Sequence, residues 1–253
     1  MPSDKLNPVR FVDKYAFNAR IVPALIVLLP IGLSLATLFP NKFARWDIIV
    51  WLGTSAGLAV FLEQLARDRG KRKEPGLYKL WGGKPSTRML RHRDSTLSVP
   101  TLARYHERLT RLIPISMPTP EEEKSNSDRA DAIYDSCGDF LRARSRDKEK
   151  FPLVFEENVN YGFRRNLWGM KPVAVILNIL SMLLVFTQIH PYCTELTSAK
   201  PVAWVAMILN ISFLMIWFFV IKPDWVKTAA EAYAIQLLST VDVLESANQP
   251  KPS

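Results

Sequence analysis

The chain alternates long apolar runs with charged stretches, and that alternation predicts its elements. The apolar runs cover 21–39, 46–65, 173–189 and 202–221. A helix of roughly 20 residues spans a bilayer core, and each run is close to that length. The first run holds no charge and contains Pro23 and Pro30. Pro23 falls in the first turn, where a missing N–H costs little. Pro30 is central, and neighbouring helices must compensate for its lost hydrogen bond. A signal peptide is the competing reading, but a long polar stretch precedes the run and no small-x-small cleavage pattern follows, so a retained helix is expected. In the second run, Gly53 and Gly57 make a GxxxG spacing that allows close helix approach, either within the chain or between chains.

Short connectors, 40–45 and 190–201, fold the runs into two hairpins. The expected fold is therefore an all-α membrane protein with two transmembrane hairpins (four helices), a mainly helical cytoplasmic domain between them and a cytoplasmic C-terminal helix. The segments are 1–20 at the amino terminus, 21–65 for the first hairpin, 66–171 for the cytoplasmic domain, 172–221 for the second hairpin and 222–253 for the tail. Lys and Arg set the orientation. The connectors carry Lys42, Arg45 and Lys200, whereas the other flanks carry Arg67, Arg69, Lys71, Arg72, Lys73, Arg164, Arg165, Lys171, Lys222 and Lys227. Both termini and the middle segment are expected on the cytoplasmic side of the membrane.

The middle segment has three parts. Arg67–Arg111 is basic, and Leu102, Tyr105, Leu109 and Leu112 after Pro100 predict an amphipathic helix. Glu121–Asp139 reverses the sign, and the spacing of Ile133, Tyr134, Cys137, Phe140 and Leu141 predicts an acidic helix from about Asp128 to Arg146. Acid first and base last suits the helix dipole; alternatively, the acidic end covers a basic site or a pore mouth. Phe151–Met170 mixes aromatics with arginines, as in an interfacial connector. In the tail, Asp224 is a plausible N-cap, and Val226, Ala230, Tyr233, Leu237, Val241 and Leu244 form an apolar stripe. That stripe packs either on its own subunit or on another copy.

Composition agrees with this division. The 253 residues carry a net charge of +9 and a mean hydropathy of +0.02 despite 23% charged side chains. A basic balance points to anionic partners, either lipid or nucleic acid. The two cysteines, Cys137 and Cys193, fall on opposite sides of the membrane and make no disulfide framework.

No catalytic signature, metal-ligand set or cofactor motif emerges. Gly82-Gly83-Lys84 lacks the first glycine and the Ser or Thr of a phosphate loop, and His106-Glu107 lacks the second histidine of a zinc-protease motif. The candidate ligand site is instead the basic stretch 76–94, with Lys84, Arg88, Arg91 and Arg93 for phosphates and Trp81 for base stacking. Lipid contact explains Arg67–Lys73 well, and Arg88, Arg91 and Arg93 less well. The candidate gate is acidic: Glu121, Glu122, Glu123, Asp128, Asp131 and Asp135. Thr54, Ser55, Asn178 and Asn210 are polar positions inside the runs. They line a pore in an assembled oligomer, or they make hydrogen bonds between helices.

Three segments, LWGGKPSTRMLRHRD, DAIYDSCGDFLRARSRD and FPLVFEENVNYGFRRN, carry a resemblance. With four spans and a cytoplasmic domain, the chain resembles the membrane effectors of bacterial anti-phage systems, in particular the HalA effectors of the Hailong system. The resemblance covers nearly the whole chain. It implies a non-enzymatic homotetrameric channel in the inner membrane, controlled by DNA oligomers from a partner nucleotidyltransferase. It further implies an acidic helix at the gate and depolarisation on infection. A membrane scaffold whose cytoplasmic domain binds a protein partner is the alternative.

Overall fold

Helix α1 covers Val22–Leu38 and is entered through a π-helical turn, Phe17–Ile21. Eight further helices follow: α2 Asp47–Leu80, α3 Pro85–Arg88, α4 Val99–Leu112, α5 Pro120–Ser125, α6 Ser127–Arg144, α7 Pro152–Ile189, α8 Pro201–Phe219 and α9 Pro223–Asn248. The protein's computed structural model describes residues 15, 17–39, 47–190 and 200–248; the side chains at 47–60, 62 and 245–248 lie outside that description. Among the described residues all regular structure is helical.

Among the described residues, three helical stretches are long and apolar enough to cross a membrane: Phe17–Leu38, Pro152–Ile189 and Pro201–Phe219. Only 33%, 28% and 22% of their respective apolar windows is buried. Most of their Leu, Ile, Val and Phe side chains are therefore left at least partly uncovered, as they are in lipid and are not in a soluble core. The expected second span, 46–65, falls on α2. That stretch is helical from Asp47, but most of its side chains are outside the described set, Thr54, Ser55 and the Gly53/Gly57 pair included.

Two boundaries differ from the sequence pattern. Helix α2 does not stop with its apolar run but continues to Leu80, with Pro75 inside it. The connector expected over Phe151–Met170 is the first half of α7, and Pro172 lies inside that helix rather than opening one. Apolar periodicity marks where a helix meets lipid, not where its hydrogen bonds end.

Cα proximity divides the chain into two units, one of residues 1–73 and 162–226, the other of 74–161 and 227–253. The first holds the spans. Ala24 and Val27 of α1, Ala66 of α2, Leu167, Met170 and Ala174 of α7, and Trp217 of α8 share one buried cluster. Gly70 of α2 and Gly169 of α7 bring two backbones together: a β-carbon on Gly169 would lie 2.5 Å from the Gly70 nitrogen. Polar groups inside the spans bond to one another, although the Asn210 side-chain oxygen has no partner among the described residues. The Asn210 amide donates to the Ala206 carbonyl at 2.8 Å and to the Ser34 hydroxyl at 3.3 Å. Asn178, its amide oriented by its neighbours, donates to the Asn210 carbonyl at 3.1 Å, and Gln188 donates to Thr37 at 2.8 Å.

The second unit has its own core. Met89 and Leu90, then Leu102, Tyr105 and Leu109 of α4, Tyr134, Cys137 and Leu141 of α6, and Ala234, Leu237, Leu238 and Val241 of α9 are buried together. The tail stripe is thus covered by the chain's own helices, the first of the two expected alternatives. Helix α4 starts at Ser98, whose hydroxyl accepts from the Thr101 N–H, with prolines following its end. The acidic helix expected from about Asp128 to Arg146 is α6, Ser127–Arg144, and Glu121, Glu122 and Glu123 stand on the separate short helix α5. Asn126, at φ −147° and ψ 83°, separates the two and accepts from the Arg129 N–H to start α6. Thr119 and Glu122 form a reciprocal capping box on α5.

Candidate functional site

The basic stretch begins where α2 ends. The Gly83 N–H returns to the Tyr78 carbonyl at 2.8 Å, and Gly82 and Gly83 take φ of 77° and 136°. Glycine is needed to turn the chain this way without strain. A β-carbon on Gly83 would also lie 2.7 Å from a guanidinium nitrogen of Arg91. What comes close to this turn is therefore Arg91, where the sequence suggested a ligand. Its Nη1 donates to the Gly82 carbonyl at 2.7 Å. Its Nε and Nη2 grip both oxygens of Asp131 at 2.7 and 2.6 Å.

Each of the other expected ligand cations is likewise held by acid. Lys84 reaches Asp135 at 2.6 Å and Asp139 at 4.0 Å. Arg88 pairs with Asp94 at 3.0 Å and with Glu231 of α9 at 2.6 Å. Arg93, 53% exposed, is 3.7 Å from Glu123. Four cations thus meet six carboxylates, and the local field is not the open positive surface that the charge run implied. Trp81 departs further from expectation. Its ring is 5% exposed and packs edge-on against Tyr78 at 6.0 Å, so its faces are not offered to a base. Its buried indole N–H has no partner.

The candidate gate residues separate into three groups. Asp131, Asp135 and Glu123 face the basic stretch. Glu122 caps α5 through the Thr119 N–H at 2.9 Å. Glu121 and Asp128 are exposed. Glu123, 3% exposed, is the most deeply set. It accepts from the His92 N–H at 2.8 Å and from the Tyr134 hydroxyl at 2.9 Å. Beside it, the His92 and His106 rings meet edge to face at 4.8 Å. His106 donates to the Leu90 carbonyl at 2.8 Å. Burial pushes the His106 imidazole below its ordinary value and the Tyr134 phenol above its own. For Asp135, burial acts upward, but the Lys84 ammonium and Thr87 hydroxyl outweigh it and hold the carboxyl below the usual range. Burial raises the Cys137 thiol to about 11, so it is not a ready nucleophile; Cys193 lies outside the described residues.

Asn178 and Asn210 are fully buried among the spans. They connect helices of one chain, the second of their two expected uses. Sequence reasoning missed Asp94 and Glu231, the partners of Arg88. Glu231 lies 143 positions away, and no local pattern announces such a pairing. Among the described residues no group of three or more His, Cys, Asp or Glu is placed to hold a metal ion. No protein-family model matches the chain, and comparison with curated proteins and with solved structures returned no match.

Proposed function

We propose that the chain is a multi-pass effector of the bacterial inner membrane whose cytoplasmic domain is switched by an anionic oligomer. In this reading it assembles as a homotetramer and conducts ions in anti-phage defence. The observation that carries the switch is the pairing of Lys84, Arg91 and Arg93 with Asp135, Asp131 and Glu123. A nucleic-acid oligomer competing for those cations replaces carboxylate by phosphate at nearly constant charge. The exchange is therefore cheap, and it releases the acidic face of α6. The outward-facing apolar spans support the membrane half of the proposal.

Vesicles holding the full chain test it. Ion flux is read with and without short single-stranded DNA, at two salt concentrations, for the parent and for Asp131→Asn with Asp135→Asn. The expected results are a flux that responds to DNA and a salt-dependent affinity that the double variant tightens about tenfold. The absence of flux in every condition would sink the channel. A specific observation favours the alternative, a non-conducting scaffold: Asn178 bonds to Asn210 and Asn210 to Ser34 within a single chain, as in a packed anchor.

A further inference from the structure

A second cationic cluster lies in the spanning unit, at the end of the apolar runs that carries Lys171. The Lys73 ammonium of α2 is 5.0 Å from the centre of the Trp168 ring on α7, and that of Lys171 is 5.2 Å from the same ring. Lys171 also lies 5.7 Å from the Phe218 ring and donates to the Ile221 carbonyl at 2.9 Å. The next residue, Lys222, is 5.8 Å from the Phe219 ring. Three ammonium groups from separate stretches of chain are thus collected beside one indole and two phenylalanines.

Their company differs from that of the cations in the other unit. Among the described residues none of the three has a carboxylate partner, whereas Arg20, in the same unit, is 3.2 Å from Glu63. Burial and the nearby Arg69 guanidinium push the Lys73 ammonium below its ordinary value. Like charges drawn together without a counter-ion cost free energy that an anion relieves. Aromatic rings beside lysines at the end of an apolar span match the chemistry of the headgroup layer, where an anion is continuous with an acyl chain. The outward apolar faces of Ile176, Ile179 and Leu180 begin one to two turns along α7, where those acyl chains lie.

We propose that Lys73 and Lys171, beside Trp168, and Lys222, beside Phe219, bind the phosphate of an anionic phospholipid. This site is independent of the acid–base pairs between α6 and the basic stretch.

The full chain in dodecyl maltoside micelles is titrated with dioctanoyl-phosphatidylglycerol, dioctanoyl-phosphatidylcholine and inorganic phosphate, with bound lipid counted by native mass spectrometry. Saturable binding of phosphatidylglycerol is expected, at least tenfold tighter than of phosphatidylcholine. Each Lys→Gln change at 73, 171 or 222 weakens it about fivefold, and Lys→Arg changes retain it. Lys200→Gln, the same loss of charge at the other end of a span, leaves it unaltered. The retained binding of the Arg variants guards against reading a misfolded protein as a lost site. Equal binding of the two lipids, inorganic phosphate displacing phosphatidylglycerol at equal concentration, or undiminished binding by the triple Gln variant would each overturn the assignment.

Discussion

Arg91 is held from two directions, by both oxygens of Asp131 and by the Gly82 carbonyl. Its side chain is 11% exposed and that of Asp131 30% exposed, so removing it strips a part-buried carboxylate of both its charge-assisted hydrogen bonds. Arg91→Ala is expected to destabilise the unit of residues 74–161 and 227–253 by about 2 kcal/mol. Lys84→Ala, which faces a 45% exposed Asp135, should cost less than about 1 kcal/mol because water screens that pair. Thermal unfolding in micelles compares the two, and an equal loss would contradict this ranking. His106 makes a different prediction. Its folded-state value is depressed, so on acidification the unfolded chain takes the proton first, and stability falls as pH drops below about 6.5. His92, Glu123 and Tyr134 face it; Glu123 opposes the depression and His92 reinforces it. Asp135, held low, keeps its stabilising charge until pH falls beneath the ordinary carboxylate range, so it adds nothing to that window. His106→Gln should flatten Tm between pH 7.5 and 5; an unchanged slope would remove His106 as the cause.

Helices were readable where their own residues carried the signal. Leu102, Tyr105 and Leu109 place α4, and the tail stripe places α9, because 3.6-residue periodicity is local. The start of α6 was legible from the spacing of Ile133, Tyr134, Cys137, Phe140 and Leu141, which places it at about Asp128, but the short helix α5 within the same acidic run was not. The cap between them, Asn126 accepting from Arg129, is present in the sequence as Asn-Ser-Asp-Arg. Asn126→Ala is expected to cost about 1 kcal/mol, seen as a lower Tm with little change in helical circular dichroism. An unchanged Tm would mean that packing alone sets the start of α6. The cations of the basic stretch were legible as a cluster, but their neutralisation was not. Lys84 meets Asp135 across 51 positions and Arg91 meets Asp131 across 40. Only the tertiary arrangement converts two opposite charge runs into pairs, and for this reason the apparent open ligand surface is closed.

At the scale of the whole molecule, polarity separates the parts: one unit turns apolar side chains outward, the other buries them. From the Lys and Arg asymmetry both termini are expected in the cytoplasm, so a reporter fused at the C-terminus should give a cytoplasmic signal, and an external signal would reverse the orientation. Asn178 and Asn210 were visible as polar positions, yet only packing shows that they face each other and Ser34 within one chain. The crossing of α2 and α7 at Gly70 and Gly169 has a consequence for how the gene tolerates change. Every missense codon at Gly169 adds a carbon 2.5 Å from the opposing backbone nitrogen, so that position has no conservative substitute, whereas a β-carbon on Gly70 first meets the Asn166 side-chain oxygen, an atom that can turn away. In a saturation library Gly169 should be retained as glycine alone, Gly70 should be depleted less severely, and Gly32 and Gly76, with nothing within 4 Å, should accept alanine. The same amino acid is thus under strict selection at one codon and nearly free to drift at two others.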